Sequence, residues 1–135
     1  MIETAIHLST AAARTMVNAA MACAQDHGCL VVVAVVDAGG HLLLLERGTG
    51  APLASIDVAR EKARTAALYG FPTFVMEQAA RSVPTMAALP NMLPFGGGIP
   101  TRSDGRITGA IGVSGGTTEQ DIACAEAAIA ALVTG

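Results

Sequence analysis

The residue with the clearest potential for chemistry is Lys62, in the segment SIDVAREKARTAA. If this segment forms a helix, Lys62 is flanked by the small residues Ala59, Ala63 and Ala66. A lysine above small side chains can reach into a pocket, where its ammonium group binds a carboxylate. We therefore predict that Lys62 binds an anionic ligand.

The triple glycine of FGGGIP, Gly96 to Gly98, is the second candidate. With no side chains in the way, its backbone N–H groups could form a concave binding site for an anion. A flexible connector into the next strand is the alternative interpretation. Among the apolar residues before it, Met92 and Phe95 are predicted to form one wall of the ligand site, although methionine is also a common core residue.

A different class of function is an enzyme that acts on a small carboxylic acid without a bound cofactor. Such an enzyme needs a base and an electrophilic clamp, meaning cationic side chains that hold the substrate, in one cleft. Lys62 and Arg47 are the candidates for the clamp, and Asp37 or Asp57 for the acid–base group. The simpler interpretation of Asp57 is a solvated helix face. The segment GVSGG departs from the G-x-S-x-G pattern, so Ser114 is a poor candidate for a nucleophile.

The glycines of GAIGVSGGTTEQD, Gly109 to Asp121, raise the question of a phosphate-binding loop. Their spacing matches neither the dinucleotide fingerprint nor the P-loop, and no lysine follows. Thr117 and Gln120 have the spacing of a capping box, and Thr118 with Asp121 repeats it one residue later. We therefore predict a capped helix and not a phosphate site. Which of the two threonines, Thr117 or Thr118, is the cap is left open.

The composition limits the functional classes. The chain has 135 residues, 52% of them hydrophobic and 14% charged, with a net charge of −3. A surface so poor in charge favours burial of part of it in a homo-oligomer. The few scattered basic residues and single tyrosine argue against nucleic acid as a partner. No apolar run approaches the roughly 20 residues of a membrane span.

The cysteines and the N-terminus indicate the compartment. The three cysteines lack C-x-x-C spacing, so neither a disulfide framework nor a zinc site is predicted. The first residues do not have the pattern of a signal peptide. We therefore expect a cytoplasmic protein.

Eight elements must position these residues, in the order α-β-β-α-α-β-β-α. Ser9 or Thr10 caps a first helix that runs to about His27, and two apolar runs flank the turn DAGG as a hairpin. A second helix begins with Pro52 and ends at about Tyr69, and Thr73 caps a short third one to about Arg81. After a proline-rich loop, residues 82–100, a second hairpin turns at SDGR and a helix ends the chain. The order predicts an α+β fold with a central antiparallel sheet, in one domain over residues 1–135.

Two blocks of the sequence, VVDAGGHLLLLERGTGAPLASIDVAREKARTAALYGFPT and FGGGIPTRSDGRITGAIGVSGGTTEQD, resemble the GlcG/HbpS family, which includes the C-terminal domain of the PduO adenosyltransferases. The resemblance covers nearly the whole chain. It implies a profilin-like fold and a homo-oligomer, such as a hexamer or octamer, and some relatives bind haem. It also places a Lys-Ala-x-Thr-Ala element at KARTAA, so Thr65 joins Lys62 as a predicted ligand-binding residue.

Haem would need an axial ligand, and His7, His27 and His41 are the candidates, although each is also explained as a surface histidine. No pair of them has metal-site spacing. We therefore predict an accessory protein that binds a small molecule, either haem, another tetrapyrrole or a small carboxylate. The enzyme acting on a small carboxylic acid is the alternative.

Overall fold

A four-stranded antiparallel sheet forms the centre of the molecule, with its strands in the order β2-β1-β4-β3. The structure is a computed structural model that describes residues 1–134, apart from the side chain of Thr134. The elements in chain order are α1 (Thr10–Asp26), β1 (Val32–Asp37), β2 (Leu42–Arg47), α2 (Ser55–Tyr69), α3 (Thr73–Ser82), β3 (Gly98–Ser103), β4 (Arg106–Ser114) and α4 (Thr118–Thr134). This order confirms the predicted α+β fold with two hairpins.

Helices cover both faces of the sheet. Helices α1 and α4 pack on one face, against a core that includes Val33, Val35 and Ile111. Helix α2 packs on the other face, against Val32 and Val36. Because successive residues of a strand point to opposite faces, a strand covered on both sides reads as a continuous apolar run.

Glycine at position 112 lets α2 lie directly on β4. A Cβ atom there would be 2.0 Å from the carbonyl oxygen of Ala59 and 2.6 Å from the amide nitrogen of Ala63. Only glycine allows the helix and the strand to approach so closely. This contact fixes α2, and Lys62 with it, against the centre of the sheet.

The turns and caps were predicted with mixed success. Ser9 caps α1 by accepting a hydrogen bond from the Ala12 amide, and Asp104 and Gly105 both have positive φ in the second hairpin, as SDGR predicted. The predicted start of α2 at Pro52 was wrong, since the helix begins at Ser55. The Ser55 amide donates a hydrogen bond to the Pro52 carbonyl in a turn that precedes the helix.

The predicted cap of α3 was also wrong. Pro72 is the N-cap, and Thr73 is the first residue of the helix. The Thr73 hydroxyl contacts both the amide nitrogen and the carbonyl oxygen of Gly98. Thr73 therefore ties α3 to β3 and does not cap the helix.

The proline-rich segment between α3 and β3 is mostly irregular, as its composition indicated. A short 3-10 helix, Pro84–Ala88, is its one regular element within the described residues. Met92 is buried and Leu93 is half-buried, whereas Leu89 and Phe95 are exposed. The segment is thus packed against the molecule at part of its length only.

None of the helices in residues 1–134 combines the length and the apolar character needed to cross a membrane.

Candidate functional site

Lys62 is buried, with its side chain 5% exposed, and its ammonium group contacts other parts of the protein. Nζ lies 3.0 Å from Oδ2 of Asp121 and donates a hydrogen bond of 2.9 Å to the carbonyl oxygen of Val113. The small residues of α2 around Lys62 do let it reach inward, but what it reaches is the junction between β4 and α4. We call Lys62, Asp121 and the Val113 carbonyl the Lys62 cluster.

Asp121 forms an ion pair with Lys62, and this pairing was not predicted from the sequence. Its Oδ1 accepts a hydrogen bond of 2.9 Å from the Gly116 amide, while Oδ2 faces Lys62. Burial raises the pKa of Asp121, and the Lys62 ammonium and the Gly116 amide act in the opposite direction. In the sequence, Asp121 was considered only as part of a possible capping box with Thr118.

The hydrogen bonds at the start of α4 show which of the two possible capping boxes forms. The Thr117 amide donates to Oε1 of Gln120, and the Gln120 amide donates to Oγ1 of Thr117. This is the reciprocal pattern of a capping box. The predicted structural cap is confirmed, and Asp121 is left free to bind Lys62.

The predicted glycine site, Gly96 to Gly98, already uses two of its amides within the protein. The Gly96 amide donates to Oε1 of Glu77 at 2.9 Å, and the Gly98 amide donates to Oγ1 of Thr73 at 2.8 Å. A Cβ atom on Gly97 would be 3.0 Å from Nζ of Lys62. The structure therefore brings these glycines and Lys62 together, but as a packed wall.

Thr65 and Met92, also predicted to bind the ligand, hold the proline-rich loop. The Thr65 hydroxyl donates to the Asn91 carbonyl at 2.8 Å and accepts from the Leu93 amide at 3.0 Å. Met92, which lies between Asn91 and Leu93 in the sequence, is buried. Their observed contacts anchor the loop to α2.

Two cavities lie over this region. One, of about 260 Å³, is lined by Gly97, Gly98 and apolar residues that include Phe74 and Ile122. The other, of about 350 Å³, is lined by Phe95 and by Arg81, whose guanidinium pairs with Glu77 at 3.0 Å. No histidine, cysteine or methionine is among the residues that line either cavity.

The four residues proposed for the enzyme, Lys62 and Arg47 as a clamp and Asp37 or Asp57 as the acid–base group, do not share a cleft. Asp57 is exposed on α2 and pairs with Arg60 at 3.7 Å, while Lys62 is buried. Asp37 and Arg47 lie at opposite ends of the first hairpin, because Arg47 is paired with Val32 at the start of β1. No single cleft therefore holds both a cationic side chain that could bind a substrate carboxylate and an aspartate that could act as the base.

Asp37 instead stabilises the turn of its hairpin. Its Oδ1 accepts hydrogen bonds from the amides of Gly39 and His41 and lies 3.3 Å from Nδ1 of His41. Partial burial raises the pKa of Asp37, but the two amides and the nearby His41 and His7 outweigh it, so the pKa is lowered overall. The contacts of Asp37 therefore stabilise the turn between β1 and β2.

His27 and His7 differ in which ring nitrogen is free. Nδ1 of His27 lies 2.9 Å from the carbonyl oxygen of Cys23. A carbonyl oxygen can only accept, so Nδ1 carries the proton and the neutral ring presents an unprotonated Nε2. Nδ1 of His7 accepts the Ala38 amide at 3.2 Å, so in the neutral ring its proton is on Nε2.

A cavity of about 510 Å³ begins at Gly28, one residue after His27, which is not itself among the lining residues. Its wall is formed by the end of the α1–β1 turn, the loop before α2 and the β4–α4 junction. The lining residues are Gly28, Cys29, Leu30, Gly50, Pro52, Gly115, Gly116, Thr117 and Gln120. We call this the His27 cavity. The sequence did not indicate it, because its three walls come from distant segments.

No group of three or more His, Cys, Asp or Glu side chains within residues 1–134 is arranged to hold a metal ion. A metal bound through protein ligands alone is therefore not supported by the described residues. A metal that brings its own equatorial ligands needs only one or two axial ligands from the chain.

Comparisons with known proteins agree with the fold and the sequence blocks. Residues 8–130 match the family model described as haem degrading protein HbpS-like. The chain is 40% identical to protein GlcG of Escherichia coli K12 over 115 residues, covering 84% of this chain and 85% of GlcG. It is 33% identical to the corrinoid adenosyltransferase PduO of Citrobacter freundii, but it covers only 40% of that protein.

Solved structures give the same result. HbpS of Streptomyces reticuli has a TM-score of 0.91 and 35% identity, over 99% of this chain and 91% of that one. A structure described as a PduOC:heme complex has a TM-score of 0.86 and 32% identity, over 93% and 95%. The resemblance found in the sequence is confirmed: this chain belongs to the HbpS-like family.

Proposed function

We propose that this protein binds haem in the His27 cavity, with Nε2 of His27 as an axial ligand to the iron. The observation that carries the proposal is the hydrogen bond from Nδ1 of His27 to the Cys23 carbonyl, next to a cavity of about 510 Å³ that begins at Gly28. The family model and the haem complex of a relative support the same ligand class.

The state of the His27 ring fits the ligand. Histidines that bind metals usually donate their other ring N–H to a carbonyl or a carboxylate, which fixes the ring and leaves a basic nitrogen for the metal. His27 meets this condition through Cys23. His7 does not, because its Nδ1 is engaged and its Nε2 carries the proton.

The shape of the cavity also fits a flat ligand. Gly28, Gly50, Gly115 and Gly116 form much of its wall, and Leu30 contributes an apolar side chain that is 54% exposed. A wall of glycines leaves room for a planar group to lie against the backbone. A volume of about 510 Å³ is within the usual range for small-molecule sites.

Arg47 is the residue that we assign to a haem propionate. It is exposed at the end of β2, three residues before Gly50 in the cavity wall. Arginine binds carboxylates through two parallel hydrogen bonds. When bound, haem supplies an iron centre that can exchange electrons, while the chain holds the ring, orients it and limits access of water.

A haemin titration followed by absorbance tests the proposal. We expect a saturable shift of the Soret band in the wild-type protein and at least about a tenfold weaker affinity in His27→Ala, because the axial bond is lost. Added imidazole should restore the spectrum of His27→Ala. The assembly size is measured by light scattering first, because we also propose a homo-oligomer on the basis of exposed apolar side chains such as Leu53 and Phe71.

His41→Ala is the matched control. Nδ1 of His41 is held by Asp37, as Nδ1 of His27 is held by Cys23, but the cavity beside the His41 turn is only about 30 Å³. We expect His41→Ala to bind haemin as the wild type does. A titration without a saturable shift, or an affinity lost in His41→Ala and kept in His27→Ala, would overturn the proposed site.

A further inference from the structure

The two edges of the sheet differ in the backbone groups that they present to the outside. The strand order β2-β1-β4-β3 leaves β2 and β3 with one neighbouring strand each among the described residues. At an edge, every second residue points its amide and carbonyl away from the sheet, where another chain can pair with them.

The outer side of β3 is closed. The Val113 amide donates to the Gly97 carbonyl, so by alternation Gly98 and Pro100 direct their backbone groups outward. The Thr73 hydroxyl contacts both the amide and the carbonyl of Gly98. Pro100 has no N–H to donate. A further strand therefore finds few free groups on β3.

The outer side of β2 is open. The Gly48 amide donates to the Val31 carbonyl at 2.9 Å. Bonds to β1 recur at every second residue, so Glu46 bonds to β1, whereas Leu45 and Arg47 direct their backbone groups outward. The strand LLLLER contains neither proline nor lysine, the residues that commonly keep an edge from pairing.

We propose that β2 pairs with β2 of a second copy of this chain, which makes one antiparallel sheet of eight strands. The proposal rests on the homo-oligomer proposed above and is independent of haem binding. Strand addition needs a partner with extended backbone, and a second copy presents the same outward groups about a two-fold axis. With only 14% of the residues charged, an apolar edge also suits burial between copies.

The faces of the sheet limit how the two strands can align. A two-fold axis normal to the sheet keeps the α2 face of both copies on the same side, so opposed residues must share a face. Leu45 packs on the α2 face and Leu44 on the face of α1 and α4. Leu45 opposite Leu45 of the second copy meets this condition. The two residues then exchange amide–carbonyl hydrogen bonds across the axis, and Leu44 lies opposite Glu46.

The other alignments are less favourable. An axis at Glu46 or at Arg47 places like charges directly opposite each other, which is destabilising. An axis at Leu44 places Leu45 opposite Leu43, the extra residue of a β-bulge, since Leu42 and Leu44 pair with consecutive residues of β1. Charge and backbone geometry therefore select the alignment centred on Leu45.

Disulfide formation at engineered cysteines tests this alignment in the full-length protein. Leu45→Cys should form an interchain disulfide under mild oxidation, because opposed residues of a hydrogen-bonded pair have Cα atoms about 5.5 Å apart, which a disulfide can span. On a non-reducing gel most of the variant should move to twice the mass of the chain. The wild type, which carries the three native cysteines, should stay at the mass of one chain.

Leu44→Cys and Glu46→Cys are the matched controls. Each lies two positions out of alignment with its own copy, which separates the Cα atoms by more than the roughly 7 Å that a disulfide can span. Neither variant alone should give a dimer band. Co-expression of the two should give a mixed disulfide, because positions 44 and 46 are opposed.

Light scattering of the wild type separates the possible failures. A monomeric wild type would overturn both the homo-oligomer and the β2 pairing, and would leave the edge to an extended peptide of another protein. An oligomer in which Leu45→Cys gives no dimer band would overturn the β2 pairing alone. A dimer band from Leu44→Cys or from Glu46→Cys by itself would do the same.

Hydrogen exchange of the wild type decides the question if Leu45→Cys fails to fold. The Leu44 amide bonds to β1, so it gives the rate of a paired amide in the same strand. We expect the Leu45 amide to exchange within about tenfold of that rate, because it is paired with the second copy. Exchange more than about tenfold faster at Leu45 would show a free edge and overturn the proposal.

Discussion

The Lys62 cluster and the His27 cavity meet at the β4–α4 junction, and they use their polar atoms in opposite ways. Nζ of Lys62 is shared between Asp121 and the Val113 carbonyl, and its side chain is 5% exposed. Nδ1 of His27 contacts its own helix, at 2.9 Å from the Cys23 carbonyl oxygen and 3.5 Å from the Cys23 sulfur, and Nε2 remains available at the surface.

This difference separates a structural ion pair from a candidate ligand site. A buried charge must be paired, and a paired charge has little capacity left for a ligand. A surface histidine whose ring is fixed through Nδ1 alone retains a free lone pair on Nε2. Residue type alone ranked Lys62 first, whereas the hydrogen bonds explain Lys62 as structural and the size of the neighbouring cavity favours His27 over His41.

The largest predicted effect comes from breaking the Lys62 cluster. Asp121→Ala should reduce the free energy of unfolding by about 3–5 kcal/mol, because it leaves a buried ammonium group unpaired. Urea denaturation measures this change. Asp57→Ala removes an exposed ion pair of α2 and is the control, with an expected change within about 0.5 kcal/mol.

The double variant Lys62→Met with Asp121→Ala sharpens the comparison. We expect it to be more stable than Asp121→Ala alone, since no unpaired charge remains. If Asp121→Ala were no more destabilising than Asp57→Ala, the ion pair would not be structural. Lys62 would then return as a candidate to bind the ligand.

A smaller effect is expected from Thr65→Val, which removes the hydroxyl that anchors the proline-rich loop. The Asn91 carbonyl and the Leu93 amide lose their partner, which should cost about 1 kcal/mol of stability. Hydrogen exchange should show faster exchange of the Leu93 amide. Thr15→Val, at an exposed hydroxyl of α1, should leave that amide unchanged.

If Thr65→Val instead weakened ligand binding and left exchange at Leu93 as it was, Thr65 would contact the ligand directly. The proline-rich loop would then belong to the ligand site together with the His27 cavity. Measuring haemin affinity and exchange on the same variant distinguishes these two roles.

The smallest effect concerns the pH dependence that Asp37 contributes. Its pKa is lowered below the ordinary 3.8, so the folded state favours the carboxylate. Its contribution is complete above the unfolded-state pKa and is lost as the pH falls through the lower folded-state value. Asp37→Asn should therefore be about 0.5 kcal/mol less stable than the wild type at pH 7.

Urea denaturation between pH 7 and about pH 2 checks this sign, since the difference between Asp37→Asn and the wild type should shrink at the acid end. A difference that grew as the pH fell would contradict it. Asp57→Asn, at an exposed carboxylate, provides the reference profile.

Much of the fold could be predicted because it depends on local signals. Ser9, Gly70 and the SDGR turn each define an element by their own backbone chemistry. Thr73 has the same kind of side chain as a helix cap, but its hydroxyl contacts Gly98 from another part of the chain. The local rule failed there because a tertiary partner competed for the hydroxyl.

The candidate site could be predicted only in part. The sequence supplied the three histidines, but it had no means of ranking them, because the ranking depends on which atom each Nδ1 faces. It also supplied Lys62 without Asp121, which lies 59 positions later. The cavity beside His27 is assembled from three distant segments, so no local pattern marks it.

The sequence by itself determined the order of the elements, the continuous apolar strands and the presence of a capped helix after Gly116, since these depend on residues a few positions apart. Only the tertiary structure decided that Lys62 is buried against Asp121 and that a cavity of about 510 Å³ begins at Gly28, one residue after His27. Hydrogen bonds and burial depend on partners brought together by folding, and those partners are not encoded in the spacing of nearby residues.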